Sequence, residues 1–139
     1  MNILLDTNVV SEWQKNNPAE PVVRFGDQFK REFSAISVMT IAEIGYGINR
    51  LREGRKRVEL EAWLAGIETA FEHRILPIDF DTAKIWSQLV ARLHGNGRNI
   101  KSPDAWIAAT AVQHELQLAT RNIRDFSETG IVLINPWEF

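Results

Sequence analysis

The chain has 139 residues, of which 45% are hydrophobic and 24% are charged, and its formal net charge is -2. This length predicts one globular domain over residues 1–139, with no room for a second. There is no cysteine, which excludes a disulfide framework and a thiolate zinc site. The weakly acidic charge argues against a standalone DNA-binding module, because such proteins are usually basic.

The start of the chain does not have the pattern of a signal peptide, since its apolar run is short and no basic segment precedes it. No apolar stretch approaches the roughly 20 residues that a membrane span needs. We therefore expect a cytoplasmic protein without a membrane partner.

The first predicted element is a short strand over Ile3–Leu5, which ends at the carboxylate of Asp6. An apolar run of this kind is typical of a parallel strand covered on both faces. Asp6 would then lie at the carboxyl end of the strand, where open α/β sheets bind ligands. Taken alone, capping of the next helix, expected over Val9–Gln14, explains Asp6 better.

A helix over Glu20–Lys30 and a strand over Phe33–Val38 are predicted next. Thr40 is then the expected N-cap of a third helix, and Glu43 stands at the capping-box distance from it. The residues support two interpretations of Glu43 about equally, as a solvated capping glutamate or as a functional group.

Gly54 ends the third helix, and apolar residues at helical spacing predict a fourth helix through Leu60, Leu64, Ile67 and Phe71. The two helices form a hairpin whose turn carries a cluster of cations, here called the basic tip: Arg50, Arg52, Arg55, Lys56 and Arg57. Such a tip is usually solvated surface, and it could also bind a phosphate backbone or an acidic partner.

A strand over Ile75–Asp79 contains a proline, which favours the edge of a sheet. Capping of the following helix best explains Asp79 and Asp81. That helix is expected to place Ala83, Trp86, Val90 and Leu93 on its inner face.

Ser102 is the predicted N-cap of another helix, with Pro103 in its first turn. Asp104 follows, and a favourable interaction with the helix dipole accounts for it without any function. Two last strands are predicted over Leu118–Thr120 and Ile131–Ile134. Strands and helices thus alternate, which predicts a parallel sheet with helices on both faces.

Three acids, Asp6, Glu43 and Asp125, follow strands and are expected at one edge of this sheet, whereas convergence of Asp104 on them is the least secure inference. Clustered carboxylates repel one another unless they bind a cation, and oxygen ligands suit Mg2+ or Mn2+. The three histidines are scattered, and there is no phosphate-binding loop or Ser-His-Asp arrangement. A cation held by acids can activate water for attack on a phosphodiester.

Four segments in order resemble the successive motifs of the PIN-domain family, and the closing Asn135-Pro136-Trp137 resembles the end of its VapC/FitB-type toxins. The four segments are Leu4–Asn8, Thr40–Gly47, Asp104–Ala111 and Ala119–Phe126. The resemblance implies a three-layer α/β/α sandwich with a central parallel sheet. It also implies an endoribonuclease that depends on Mg2+, with Mn2+ as the alternative, and that is the toxin of a type II toxin–antitoxin system.

By position, the resemblance implies four catalytic acids, Asp6, Glu43, Asp104 and Asp125, of which Asp6 and Asp104 bind the metal. It gives supporting roles to Asn8, Thr120 and Asn122, and either Asn122 or Asp125 corresponds to the fourth acid. Arg121 and Arg124 could touch substrate phosphate or simply be solvated.

The implied partners are an RNA substrate, a small DNA-binding antitoxin and a second copy of the chain in a homodimer. A larger toxin–antitoxin assembly on operator DNA is also implied. Two alternatives remain open at this point. One is a regulatory subunit that acts mainly in complex with an antitoxin, and the other is a PIN nuclease for RNA processing without an antitoxin.

Overall fold

The computed structural model describes residues 2–29 and 33–139. Its centre is a parallel sheet of five strands in the order β3-β2-β1-β4-β5. The strands are β1 (Ile3–Leu5), β2 (Ser34–Ser37), β3 (Ile75–Leu76), β4 (Gln117–Ala119) and β5 (Leu133–Ile134). The edge position of β3 agrees with the proline that follows it.

Six helices connect the strands in the described part of the chain: α1 (Thr7–Glu12), α2 (Glu20–Gln28), α3 (Val38–Asn49), α4 (Arg55–Ala70), α5 (Phe80–Gly95) and α6 (Ser102–Gln113). Two short 3₁₀ helices, Ile123–Phe126 and Pro136–Glu138, flank β5. None of the described helices is long and apolar enough to cross a membrane.

The side chains of β1 divide the core into two layers. Ile3 and Leu5 belong to one cluster of buried side chains, together with residues of α1, α2 and α3. Leu4 points to the opposite face and packs with residues of α5 and α6. Because successive residues of a strand face opposite sides, both faces of the sheet are covered, and the predicted three-layer α/β/α sandwich is confirmed.

The strand order reverses its direction between β1 and β4, which are neighbours near the middle of the sheet. From β1 the chain proceeds to β2 and β3 on one side, and it later places β4 and β5 on the other. Open α/β sheets bind ligands at such a switch point, outside the carboxyl ends of the strands. Asp6 stands there, and its N–H donates to the carbonyl of Ala119 at 2.9 Å.

Two of the predicted helix caps are wrong. The third helix begins at Val38 rather than after Thr40, because Ser37 at the end of β2 caps it by accepting a hydrogen bond from the N–H of Met39 at 3.0 Å. Strand and helix therefore join without a loop. Ser102 is the first residue of α6, and the N-cap position falls on Lys101, which makes no capping side-chain bond.

Several other boundaries differ from the prediction by a few residues. The first helix begins at Thr7 rather than Val9, and the second ends at Gln28, while the predicted end at Lys30 lies outside the described residues. In α5, Ala83 is exposed and Thr82 is buried, so its inner face is rotated from the predicted one. The capping role of Asp79 is confirmed, since its carboxylate and Thr82 form a reciprocal capping box.

Candidate active site

Asp6 lies at the switch point of the sheet and has a fixed orientation. It is only 3% exposed, and its two carboxylate oxygens have different partners. Oδ1 accepts from the N–H of Thr7 at 2.7 Å, which caps α1, and Oδ2 accepts from the hydroxyl of Thr120 at 2.7 Å. The capping interpretation of Asp6 is therefore correct, and it does not compete with a place in the site.

Thr120 joins the ends of β1 and β4. Its side chain is fully buried, and its hydroxyl oxygen accepts from the N–H of Asn122 at 3.0 Å while it donates to Asp6. The side-chain amide of Asn8 reaches the same oxygen at the long distance of 3.5 Å. Of the supporting residues predicted from sequence, Thr120 thus orients Asp6 directly. The side-chain amide of Asn8 and the backbone N–H of Asn122 both face the hydroxyl oxygen of Thr120.

Glu43 comes to the site from the second turn of α3. Its Oε1 accepts from the hydroxyl of Thr7 at 2.7 Å, and the hydroxyl oxygens of Thr7 and Thr40 lie 3.0 Å apart. Because α3 begins at Val38, Glu43 is too far along the helix to be a capping-box glutamate. The capping-box interpretation of Glu43 is therefore wrong.

Asp104 joins the cluster although no strand precedes it. It lies in the first turn of α6, which packs against α5 and α3. Burial raises the pKa of Asp104 to about 6, and the charges of Asp6, Glu43 and Asp125 add to this rise, while Lys101 opposes it. The structure thus brings together all four acids that the sequence singled out.

The pKa of Asp6 is also raised above its ordinary value, mainly because the side chain is buried. The hydrogen bonds from Thr120 and Thr7 favour the carboxylate and oppose this rise, whereas the charges of Glu43 and Asp125 add to it. Two neighbouring carboxyl groups thus lie where burial, and to a lesser extent nearby acids, make their negative charges unfavourable.

Asp125 is the most peripheral of the four acids. It is exposed on the 3₁₀ helix Ile123–Phe126, yet close enough to raise the pKa values of Asp6 and Asp104. It also lines a cleft of about 270 Å³, with Arg98 and Arg124 on its wall. Asn122 is exposed next to it, so both candidates for the fourth position lie at the rim of the site.

The donor set fits a hard divalent cation that keeps part of its water shell. Within residues 2–29 and 33–139, no three His, Cys, Asp or Glu side chains are arranged to enclose an ion by themselves. Mg2+ is usually held by one or two carboxylates with several waters, so the two raised-pKa acids, Asp6 and Asp104, match that requirement. A cation there would offset the cost of burying these two carboxylates near other acids, which raises both pKa values.

Three residues near the acids were not predicted as parts of the site. Thr7 connects the cap of α1 to Glu43, Thr40 adjoins Thr7, and Lys101 partly offsets the charge of Asp104. The adjacency of Thr7 to Asp6 was a usable signal. Thr40 gave none, because a threonine at a predicted helix start is explained by capping.

The comparisons with known proteins agree with this geometry. The family model described as PIN domain matches residues 3–132. A VapC ribonuclease, Y4jK of Sinorhizobium fredii, is 36% identical over 137 residues, which cover 98% of both chains. Toxin FitB of Neisseria gonorrhoeae is 39% identical over 136 residues, which cover 97% of this chain and 98% of FitB. A solved structure, FitAB bound to an IR36 DNA fragment, superposes with a TM-score of 0.92 at 37% identity, covering 99% of this chain and 96% of that one.

Proposed function

Because the chain belongs to the PIN-domain family, we propose that it is a metal-dependent endoribonuclease and the toxin of a type II toxin–antitoxin pair. The observation that carries the proposal is the convergence of Asp6, Glu43, Asp104 and Asp125 at the switch point of the sheet. The names of two relatives, a VapC ribonuclease and a FitB toxin, support the reaction and the toxin role.

Asp6 and Asp104 would hold the ion, Mg2+ or Mn2+, through carboxylate oxygens. When bound, the ion supplies charge to offset the phosphodiester and lowers the pKa of water in its shell. Asp6 is held in place by the N–H of Thr7 and the hydroxyl of Thr120, so little reorganisation is needed for it to act as a ligand. Positioning of this kind accounts for much of the rate in phosphoryl transfer.

In this mechanism Glu43 would accept a proton. The hydroxyl of Thr7 occupies its Oε1, which fixes the carboxylate and leaves Oε2 to take the proton from the attacking water. Asp125 and the exposed polar groups around it would act at the rim of the site. The mechanism uses no side-chain nucleophile and no covalent intermediate.

The partner that fits this proposal is a small antitoxin that binds DNA. The relative solved as FitAB is bound to a DNA fragment, whereas this chain carries a net charge of -2, so the DNA contacts would come through the partner. A homodimer, and its assembly with antitoxin on operator DNA in the cytoplasm, complete the proposal. Light scattering of the chain alone and with its antitoxin tests these assemblies.

The deciding experiment is cleavage of a mixed RNA pool by the purified chain, freed of any partner, with Mg2+, Mn2+ or EDTA. Asp6→Asn keeps an oxygen for the N–H of Thr7 but replaces the acceptor of the Thr120 hydroxyl by an amide, so urea unfolding of the variant is measured alongside. We expect it to lose cleavage at least about 100-fold, because it removes a carboxylate ligand of the ion. The matched control is Asp81→Asn, which removes an exposed acid from the first turn of α5 and should cut as the parent does.

Each unfavourable outcome has its own meaning. Normal cleavage by Asp6→Asn would overturn the mechanism. Cleavage that persists in EDTA would overturn the metal requirement. A parent protein that binds antitoxin but cuts no RNA would favour the regulatory subunit. A parent that cuts RNA but is not toxic and has no antitoxin would favour an RNA-processing nuclease.

A further inference from the structure

The outer side of α3 connects the carboxylate cluster to the basic tip. Glu43, Tyr46, Gly47 and Arg50 stand at positions i, i+3, i+4 and i+7 of the helix, so they share one side of its surface, here called the α3 row. Tyr46 is about 4.5 Å and Arg50 about 10 Å further along the helix axis than Glu43. The row therefore begins in the proposed active site and ends at the turn into α4.

Tyr46 presents an aromatic ring to solvent. Its side chain is 66% exposed, and the guanidinium carbon of Arg50 lies 5.5 Å from the ring centroid. The cation holds one face of the ring, which limits its rotation, and the exposure leaves the other face accessible. A ring held in this way is a stacking surface rather than a part of the core.

Much of the positive charge of the basic tip is available to a ligand. Arg55 and Arg57 form salt bridges to Glu59 at 3.2 Å and Glu61 at 2.9 Å. In the described part of the chain, the side chains of Arg52 and Lys56 form no hydrogen bond or salt bridge. The guanidinium of Arg50 contacts the ring of Tyr46. Arg50, Arg52 and Lys56 thus make the tip locally positive, although the chain as a whole has a net charge of -2.

We propose that the α3 row and the basic tip form a binding site for single-stranded RNA next to the bond that is cut. One base stacks on the free face of Tyr46, and Arg50, Arg52 and Lys56 contact the phosphates that follow. Unpaired bases can stack on aromatic side chains, whereas bases in a duplex are covered by their neighbours. The inference rests on the proposed ribonuclease function, and it adds the residues that bind the RNA strand beside the carboxylate cluster.

An acidic protein segment would also be attracted to the basic tip, but it has no need of the aromatic ring. The requirement for Tyr46 therefore separates the two ligands. Tyr46→Phe keeps the stacking surface and Tyr46→Ala removes it, and both changes are at a position too exposed to disturb the fold. Arg24→Ala is the matched control for charge, because Arg24 is an exposed arginine on α2 that is paired with Glu20.

The test measures binding of a labelled, unstructured RNA in Mg2+ by fluorescence anisotropy, with every variant in the Asp6→Asn background so that the RNA stays intact. We expect Tyr46→Ala to raise Kd about tenfold, as loss of one base stack does. Tyr46→Phe and Arg24→Ala should bind as the background does. Arg50→Ala and Arg52→Ala should weaken binding and reduce the slope of log Kd against log salt by about 0.7 each.

Unchanged binding by Tyr46→Ala and Arg50→Ala would overturn the inference, and so would an equal effect of Tyr46→Ala on duplex RNA. If the tip variants lose antitoxin but not RNA, the site belongs to an acidic protein partner and the inference is wrong. These failures leave the proposed function intact as long as the parent cuts RNA. RNA binding that depends on Tyr46 in a parent that cuts nothing would support the site and overturn the nuclease.

Discussion

Replacing Asp104 by Asn should stabilise the metal-free protein near pH 8 although it removes a proposed metal ligand. Burial, and then the charges of Asp6, Glu43 and Asp125, raise the pKa of Asp104 from 3.8 to about 6. The ionised form is therefore less favourable in the folded protein than in the unfolded chain. An uncharged side chain of the same shape does not carry this cost.

The size of the effect follows from the pKa difference. A rise from 3.8 to about 6 corresponds to about 3 kcal/mol if none of it is screened. Asp104 is half-buried, so solvent screening reduces the value to about 1.5 kcal/mol. Asn also loses about 0.5 kcal/mol of favourable interaction with the dipole of α6. The expected net stabilisation is about 1 kcal/mol, or about 3 °C in Tm.

The pH dependence has a definite sign. Below the unfolded pKa of 3.8, Asp104 is protonated in both states, and the parent has no disadvantage. As the pH rises to about 6, the folded state binds more protons than the unfolded state, so the parent loses stability. Above that pH the loss is complete. The advantage of Asp104→Asn should therefore vanish below about pH 4 and be largest near pH 8.

The assay is urea unfolding in EDTA, near pH 8 and near pH 4. Asp81→Asn serves as the control, since it removes an exposed acid from a first helical turn whose neighbouring carboxyl, Asp79, has a lowered rather than a raised pKa, and it should be neutral or slightly destabilising. Added Mg2+ should stabilise the parent and narrow the difference. The reasoning fails if Asp104→Asn is no more stable than the parent near pH 8, or if its gain persists near pH 4.

Two further changes probe the groups that hold the acids. Thr120→Val removes the hydroxyl that donates to Oδ2 of Asp6, so we expect the free energy of unfolding in urea to fall by about 1–3 kcal/mol. The acid limb of the pH–rate profile should also move to higher pH, because the lost hydrogen bond lowers the pKa of Asp6. Thr120→Ser should restore both properties, and a Val variant with the parent's profile would contradict this role. Glu43→Gln keeps an oxygen for the hydroxyl of Thr7, so its free energy of unfolding in urea should stay within about 0.5 kcal/mol of the parent value. Cleavage should fall at least about 100-fold, because the proton acceptor is lost. Cleavage at the parent's rate would exclude Glu43 as the proton acceptor.

The sequence predicted the sheet well because its signal is local. Each strand is a short apolar run next to a helix with helical periodicity, and β1 is buried along its whole length, as an all-apolar run requires. Because the strands are parallel, their carboxyl ends lie at the same edge of the sheet, and residues that follow different strands can meet there. The strand order itself was not predictable from these runs, since the lateral order of β4 and β5 depends on packing between distant segments.

Capping chemistry was the main source of error. Thr40 was predicted as the N-cap of the third helix because Thr suits that position, but Ser37 suits it as well. The structure selects Ser37 because its extended backbone, with ψ of 148°, ends β2 directly at the helix. This shift of three residues moves Glu43 from the first turn of α3 to its second. Glu43 therefore cannot cap the helix, and its carboxylate instead accepts a hydrogen bond from Thr7, which is 36 residues away in sequence.

Asp6 and Asp104 show two relations between local structure and the site. At Asp6, the helix cap and the site geometry require the same carboxylate orientation, so the residue satisfies both. At Asp104, the helix dipole favours the charge, whereas burial and the nearby acids oppose it. Such a local conflict is expected where function rather than stability determines a residue.

The same conflict has a consequence for metal binding. Burial and the neighbouring carboxylates raise the pKa values of Asp6 and Asp104, and an ion held by these two residues would offset that unfavourable charge, which becomes part of its binding free energy. Protons compete for the same oxygens, so the affinity for the ion should fall as the pH drops below about 6. A site built on isolated, fully ionised carboxylates would keep its affinity down to about pH 4. The carboxylate cluster thus costs stability in the metal-free protein and makes occupancy of the proposed site dependent on pH.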